Sequence, residues 1–145
     1  MKPYAFKAVY LVLLAILVTV CSAADKDSDA DQFWQTFRLA VIDNQKEEIA
    51  AMTLLPFEVR GPDDSDPVKK LNHQDFLDLY ERLVAQSVFL PSGDQIIPKS
   101  MRQLIGETKQ LSNKDYVTPD LIQFHQFEFM LIDGRWRFTR AYLEE

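Results

Sequence analysis

Three side chains that can bind an anion or move a proton fall at one end of a predicted C-terminal hairpin: His125, Arg140 and Tyr142. A histidine can act as acid or base near neutral pH, and an arginine with a tyrosine hydroxyl can stabilise a negatively charged oxygen. Strand alternation places all three on the apolar face of the hairpin, where an unpaired charge is costly. The sequence therefore predicts that they bind a ligand at the mouth of a cavity.

A structural arrangement accounts for the same residues without a ligand. If the end of the hairpin projects beyond the helices, Arg140 is solvated or pairs with an acid such as Glu58 or Asp78. On the opposite face of the hairpin, Glu128 lies diagonal to Arg137, and a modest surface contact between them is expected.

The hairpin that positions these side chains is the clearest element of the sequence. Residues 121–132 and 135–142 alternate apolar and polar side chains around Asp133-Gly134, a dipeptide typical of two-residue turns with positive φ. Such a turn fixes the register, so Ile132 is predicted to pair with Arg135. Counting outward gives Phe129 opposite Phe138, Glu128 opposite Thr139, Phe127 opposite Arg140 and His125 opposite Tyr142.

Helices precede the hairpin. Apolar spacing predicts a first helix over 32–52 and a second over 72–86, with Asn72 as the N-cap of the second. Residues 57–60 between them alternate like a short strand, and 61–67 form an acidic loop rich in turn residues. The segment 87–118 is open to more than one reading: 88–90 fits a strand or a helix tail, and 98–105 fits a third short helix with Pro98 in its first turn.

The first 24 residues have the pattern of a cleavable signal peptide. Lys2 and Lys7 precede an aliphatic stretch over 9–20, and small residues at 21–24 suit cleavage before Ala24 or Asp25. An acidic linker over 25–31 and one domain over 32–145 are expected to follow. Two alternatives remain: a membrane anchor through residues 8–24, and lipidation of Cys21, which Val20 disfavours because lipidation sites place a small residue there.

Charge and composition argue against several classes of partner. The chain has 16 basic and 22 acidic side chains, and no basic run that would suit nucleic acid or an anionic membrane surface. The single cysteine, Cys21, leaves with the signal peptide, so no thiolate site is expected. His73 and His125 are the two histidines, too few for a zinc site, and no motif predicts a cofactor.

Certain short motifs resemble those of a known superfamily. They are Phe33-Trp34-x-x-Phe37, Leu55-Pro56-Phe57, Phe127-Glu128-Phe129 and the run Asp133-Gly134-Arg135-Trp136-Arg137-Phe138. With the order of elements, they resemble the nuclear-transport-factor-2-like, or ketosteroid-isomerase-like, cystatin-like cone proteins, in particular small exported bacterial proteins of unassigned function. The resemblance implies an α+β fold, in which N-terminal helices pack on a curved antiparallel sheet ending in a C-terminal hairpin and enclose a cone-shaped cavity.

The resemblance does not carry over a catalytic site. Isomerases of that superfamily use a general-base aspartate with a tyrosine and aspartate oxyanion pair, and no strand aspartate lies among the predicted core-face positions. The expected function is therefore an exported binding module, periplasmic or secreted, for a small hydrophobic or anionic molecule or a partner. The alternatives are a structural homodimer that packs sheet on sheet, and a weak acid/base enzyme using His125 with Arg140 and Tyr142.

Overall fold

The structure, a computed structural model, describes residues 26–63 and 65–143. The predicted signal peptide lies outside these residues. The helices are α1 Lys26–Ile42, α2 Lys46–Ala51, α3 His73–Ala85 and α4 Met101–Glu107. The strands are β1 Thr53–Arg60, β2 Lys69–Leu71, β3 Ser87–Ser92, β4 Gln95–Ser100, β5 Tyr116–Thr118, β6 Leu121–Phe124, β7 Phe127–Ile132 and β8 Arg135–Tyr142.

Six of the strands form one curved sheet in the order β2-β1-β8-β7-β6-β5. All neighbours are antiparallel except β1 and β8, which run parallel. Strands β3 and β4 pair only with each other and form a separate hairpin. The predicted α+β class, with helices on a curved and mostly antiparallel sheet ending in a C-terminal hairpin, is confirmed. None of the described helices is both long and apolar enough to cross a membrane.

One aromatic side chain, Phe138 of β8, stands at the centre of the core. Its ring lies 5.4 Å from that of Phe37 in α1, 4.7 Å from Phe57 in β1 and 6.2 Å from Phe76 in α3. All four side chains are at most 1% exposed. Because Phe37 and Phe76 both reach Phe138, α1 and α3 lie against the same face of the sheet, and the opposite face is the outer one.

The predicted second helix is confirmed as α3, including its cap. The Asn72 side chain accepts a hydrogen bond from the backbone N–H of Asp75 at 3.0 Å, which satisfies a free donor of the first turn. Phe76, Tyr80 and Leu83 are buried on its inner side.

The prediction of one continuous first helix is wrong. The chain turns at residues 43–45, where Asn44 has φ 55, a conformation that asparagine adopts more readily than most residues. The helix over 32–52 is therefore two helices, α1 and α2. The expected linker over 25–31 is helical from Lys26, because Ala30 belongs to the core and is fully buried.

The open segment 87–118 contains a hairpin and a helix. Residues 88–90 belong to strand β3, and Pro98 lies in β4. The third helix begins later than predicted, at Met101, because Ser100 caps it by accepting a hydrogen bond from the N–H of Gln103.

The predicted strand over 57–60 begins earlier, at Thr53. The predicted strand over 121–132 is two strands, β6 and β7, separated by a turn at 125–126.

Removal of the α3 cap tests the first of these assignments. Asn72→Ala is expected to lower the free energy of unfolding by about 1 kcal/mol, because one donor of the first turn loses its partner. Urea denaturation monitored by circular dichroism measures the change. Asn113→Ala, in an exposed loop, is the matched control and should leave the unfolding midpoint where it is. Equal effects of the two substitutions would contradict the capping role.

Titration of Tyr80 gives a second test. Its hydroxyl is buried without a hydrogen-bond partner in the described part of the chain, and burial raises its pKa to about 12. A raised folded-state pKa stabilises the fold fully below pH 10.0, and that contribution is lost as the pH rises through about 12. Tyr80→Phe should remove this loss, which is on the order of 2–3 kcal/mol. Wild type and variant with parallel stability curves over this range would refute the assignment.

Candidate functional site

A β-bulge in β8 decides where the predicted site residues lie. The pairs Ile132–Arg135 to Phe129–Phe138 follow the predicted register, but Glu128 then pairs with Arg140 and Phe127 with Ala141. Thr139 is the extra residue. The predicted pairs Glu128–Thr139 and Phe127–Arg140 are therefore wrong, because a bulge shifts the register by one residue.

The bulge moves Arg140 and Tyr142 to the outer face of the sheet. Ala141 takes the inward position and is fully buried, whereas Arg140 and Tyr142 are half-buried on the side away from the helices. Thr139, which is 6% exposed, donates its hydroxyl to the carbonyl of Glu128 at 3.2 Å. The prediction that Arg140 and Tyr142 share the core face of the hairpin is corrected accordingly.

The two displaced side chains meet on one carboxylate. Arg140 donates to Glu58 Oε2 from Nε at 3.0 Å and from Nη2 at 2.5 Å, and to Glu128 Oε2 at 3.3 Å. The Tyr142 hydroxyl donates to the other oxygen of Glu128 at 2.5 Å. The pairing of Arg140 with Glu58, expected if no ligand binds there, is confirmed. The expected contact between Glu128 and Arg137 is wrong, since Arg137 donates to the carbonyl of Ala51.

The ionisation of this network follows from its contacts. The hydrogen bonds from Arg140 to Glu58 raise the pKa of the guanidinium further above its usual value. Burial, and then the hydrogen bond to Glu128, raise the pKa of the Tyr142 hydroxyl. Arg140 is therefore charged and Tyr142 neutral at physiological pH. The guanidinium donates hydrogen bonds to two carboxylates, so the network connects β1, β8 and β7. Few donors of Arg140 are left for an external anion.

His125 lies apart from this pair. It occupies the turn between β6 and β7 with φ 52, and its ring packs edge-on against Phe124, with centroids 4.7 Å apart. Loss of hydration lowers the pKa of the imidazole, and the carboxylate of Asp115 opposes that change. The structure brings Arg140 and Tyr142 together but does not bring His125 into contact with either. Catalysis by His125 with those two side chains therefore lacks a geometric basis.

A cleft opens at the same end of the sheet on its inner side. It lies between α3 and the connection from β1 to β2, and has a volume of about 720 Å³. Four valine and leucine side chains belong to its lining, and two of them, Val59 and Leu143, are at most 8% exposed and join it to the core. The other two are Leu71 and Leu79. The cleft lies at the end of the hairpin where the sequence predicts a pocket, but its lining does not include His125, Arg140 or Tyr142.

Local chain geometry holds the cleft open. Strand β2 has only three residues, and the connection before it folds on itself, since the N–H of Asp63 donates to the carboxylate of Asp66 at 2.9 Å. That carboxylate lies over Gly61, where a Cβ atom would overlap it. The N–H of Leu143 donates to the carbonyl of Arg60 at 2.8 Å, which fixes the end of β8 beside the cleft.

The rim of the cleft carries both signs of charge. Its basic side chains are Arg60, Lys69 and Arg82. Its acidic side chains are Asp63, Asp66, Asp75 and Asp78. Arg82 makes no hydrogen bond or ion pair with the described part of the chain, so its donors are available to a ligand. A cleft with an apolar floor and a charged rim can hold a molecule that has an apolar body and a polar end.

Sequence reasoning missed the α3 side of this cleft. Asp75, Asp78, Leu79 and Arg82 recur at helical spacing and were visible as one face of the helix. A mixed polar face is, however, what any solvated helix shows, and nothing in the sequence tells which loop lies opposite.

Neither the metal-binding residue types nor comparison with known proteins identifies a ligand for this site. In the ranges 26–63 and 65–143, no group of three or more histidine, cysteine, aspartate or glutamate side chains is arranged to hold a metal ion. Comparison of the chain with protein families, with curated proteins and with solved structures finds no match in any of the three.

Breaking the outer-face network tests its role in stability. Arg140→Met leaves the buried Glu128 carboxylate without its cation, so the free energy of unfolding is expected to fall by about 3 kcal/mol. Urea denaturation monitored by circular dichroism measures the change.

Arg135→Met, an exposed arginine of the same strand, is the control and should change stability little. If the two substitutions had the same small effect, Arg140 would be an ordinary surface residue and the network would not hold the strands.

Proposed function

We propose that the protein is a binding module, and that the cleft between α3 and the β1–β2 connection takes a small amphipathic molecule. The observation that carries the proposal is the cleft itself: about 720 Å³, with an apolar floor continuous with the core. This volume falls within the roughly 300–1,000 Å³ of sites that bind small molecules.

The lining suggests the chemistry of the ligand. Leu71, Leu79, Val59 and Leu143 offer a surface for an apolar body. At the rim, Arg82 has free guanidinium donors that suit a carboxylate, sulfonate or phosphate group. The neighbouring Asp75 and Asp78 limit how much negative charge is favourable, so a single anionic group on an apolar body fits the cleft better than a polyanion.

The proposal also includes export of the protein, and it favours binding over catalysis. The signal-like residues 1–24 favour export to a periplasmic or extracellular location, where a chain without structural cysteines must rely on its core for stability. The resemblance to nuclear-transport-factor-2-like proteins favours a cavity at the open end of the sheet. Binding is favoured over catalysis because Arg140 and Tyr142 face away from the cleft and are held by carboxylates.

A fluorescent amphipathic anion, anilinonaphthalenesulfonate, tests the cleft directly. Leu79→Asp should weaken its binding more than tenfold, because a carboxylate then faces the apolar body of the dye. Arg82→Gln should weaken it about threefold to fivefold, as expected for loss of one exposed ion pair of ~1 kcal/mol. Native mass spectrometry of the purified protein would reveal any co-purified molecule that the dye displaces.

Two matched substitutions control for charge and exposure. Leu39→Asp places the same carboxylate on the exposed side of α1, and Arg135→Gln removes an exposed arginine outside the cleft. Both should bind the dye like wild type, and near-ultraviolet circular dichroism should show that every variant keeps its packing. Absence of saturable binding, or equal binding by all five proteins, would refute the cleft as the site.

A further inference from the structure

The β3–β4 hairpin carries the two most exposed large apolar side chains in the described part of the chain. Phe89 is 65% exposed and Ile96 is 70% exposed. The hairpin turns at Gly93, which has φ 61 and suits the first position of a tight two-residue turn. Its exposed apolar surface is separate from the cleft and has no role in the binding function proposed above.

Cross-strand register places four apolar side chains side by side on one face of this hairpin. Phe89 pairs with Pro98 and Pro91 with Ile96, so these four side chains share a face, and all four are exposed. We call them the Phe89 face. The opposite face carries Val88, which is 9% exposed and belongs to the core cluster.

A salt bridge of 2.5 Å between Lys99 on that opposite face and Glu107 holds the hairpin against α4. The Phe89 face is thereby held outward, so its exposure is a consequence of how the hairpin is attached.

The two prolines restrict how a partner can approach. Each strand of the hairpin has one proline, Pro91 in β3 and Pro98 in β4, and each therefore lacks a backbone donor on its free edge. Addition of a further strand at either edge is disfavoured, as in other proteins that protect exposed edges. A partner must therefore contact the face of the hairpin instead of extending its hydrogen bonding.

Charge selects the partner. The chain has a formal net charge of −6, so two copies repel each other over most of their surface. Residues 87–100 contain only Asp94 and Lys99 as charged side chains, and neither lies on the Phe89 face. This projecting, uncharged face is where two copies can approach with least repulsion. The tip residue Asp94, and the pairing of the one basic side chain of the hairpin, Lys99, with Glu107, make a lipid surface the poorer match.

We infer that the Phe89 faces of two copies pack on each other and mediate reversible self-association of the protein. A two-stranded face of this length covers on the order of 300 Å², compared with about 800 Å² per partner in a stable interface. The dimer is therefore weak and exchanges rapidly with the monomer. Blocked edges close the assembly at two copies, since neither hairpin can add strands to grow a fibre.

Salt dependence distinguishes this dimer from one built on the outer face of the sheet. Raising the ionic strength from about 0.01 M to about 1 M shortens the Debye length from about 30 Å to about 3 Å and screens the repulsion between acidic copies. Association through the Phe89 face should therefore strengthen with salt. Association through the charged residues Glu58, Arg140 and Lys70 of the outer face would weaken instead.

Analytical ultracentrifugation of the protein, purified after expression of all 145 residues, tests the inference. Between about 10 μM and about 1 mM, the weight-average mass should rise, and more steeply at high salt. Phe89→Ser combined with Ile96→Ser should abolish the rise. Val117→Ser is the matched control, because Val117 is 56% exposed in β5, an edge strand of the main sheet that does not pair with the hairpin.

A second measurement keeps the inference testable if the double variant unfolds. With Cys21→Ser in the background, Ile96→Cys should form a disulfide-linked dimer under oxidation faster than Val117→Cys does. A protein that stays monomeric at all concentrations, association that weakens with salt, or equal cross-linking at both positions would overturn the inference. So would a monomer that instead co-sediments with phosphatidylcholine vesicles through Phe89 and Ile96.

Discussion

The packing around Phe138 is the constraint on which the rest of the structure depends. Its ring contacts rings from α1, β1, α3 and β7, so one side chain joins both layers of the fold. Aromatic pairs in edge-on or tilted contact are worth about 0.5–1.5 kcal/mol each beyond the area they bury. With Phe138 fixed inward, the helices have one sheet face on which to pack, and the charged network around Arg140 lies on the other face.

The bulge at Thr139 lets core residues on both sides of it point inward while the polar side chains after it point outward. Phe138 and Ala141 both point inward although three positions separate them, which regular alternation does not allow. One extra residue in β8 solves the conflict and sends Arg140 and Tyr142 outward to Glu58 and Glu128. Without it, a guanidinium would lie in the aromatic core, where an unpaired charge is strongly unfavourable.

Two separate surfaces remain after the core is satisfied. The cleft forms where α3 and the short strand β2 diverge, and its apolar floor is the edge of the same core. The β3–β4 hairpin leaves the body beside α4 and pairs with no strand of the main sheet. Because the cleft and the Phe89 face share no residue, a ligand in one leaves the other accessible, and each can be altered without changing the other.

The sequence by itself determined the elements whose signals are local. The Asp133-Gly134 turn, the Asn72 cap and the apolar face of α3 each depend on contacts within a few residues, and each is found where it was predicted. Register was correct only as far as Phe129–Phe138, because the shift that follows comes from competition for the core between residues distant in sequence. The cleft could not be predicted for the same reason. Its two sides are the residues around Gly61 and the solvent-facing side of α3. They come together only because Phe76 packs on Phe57 and Phe138. Local propensity thus fixed this turn, this cap and this helix, and long-range packing decided which side chains face a ligand, the core or the solvent.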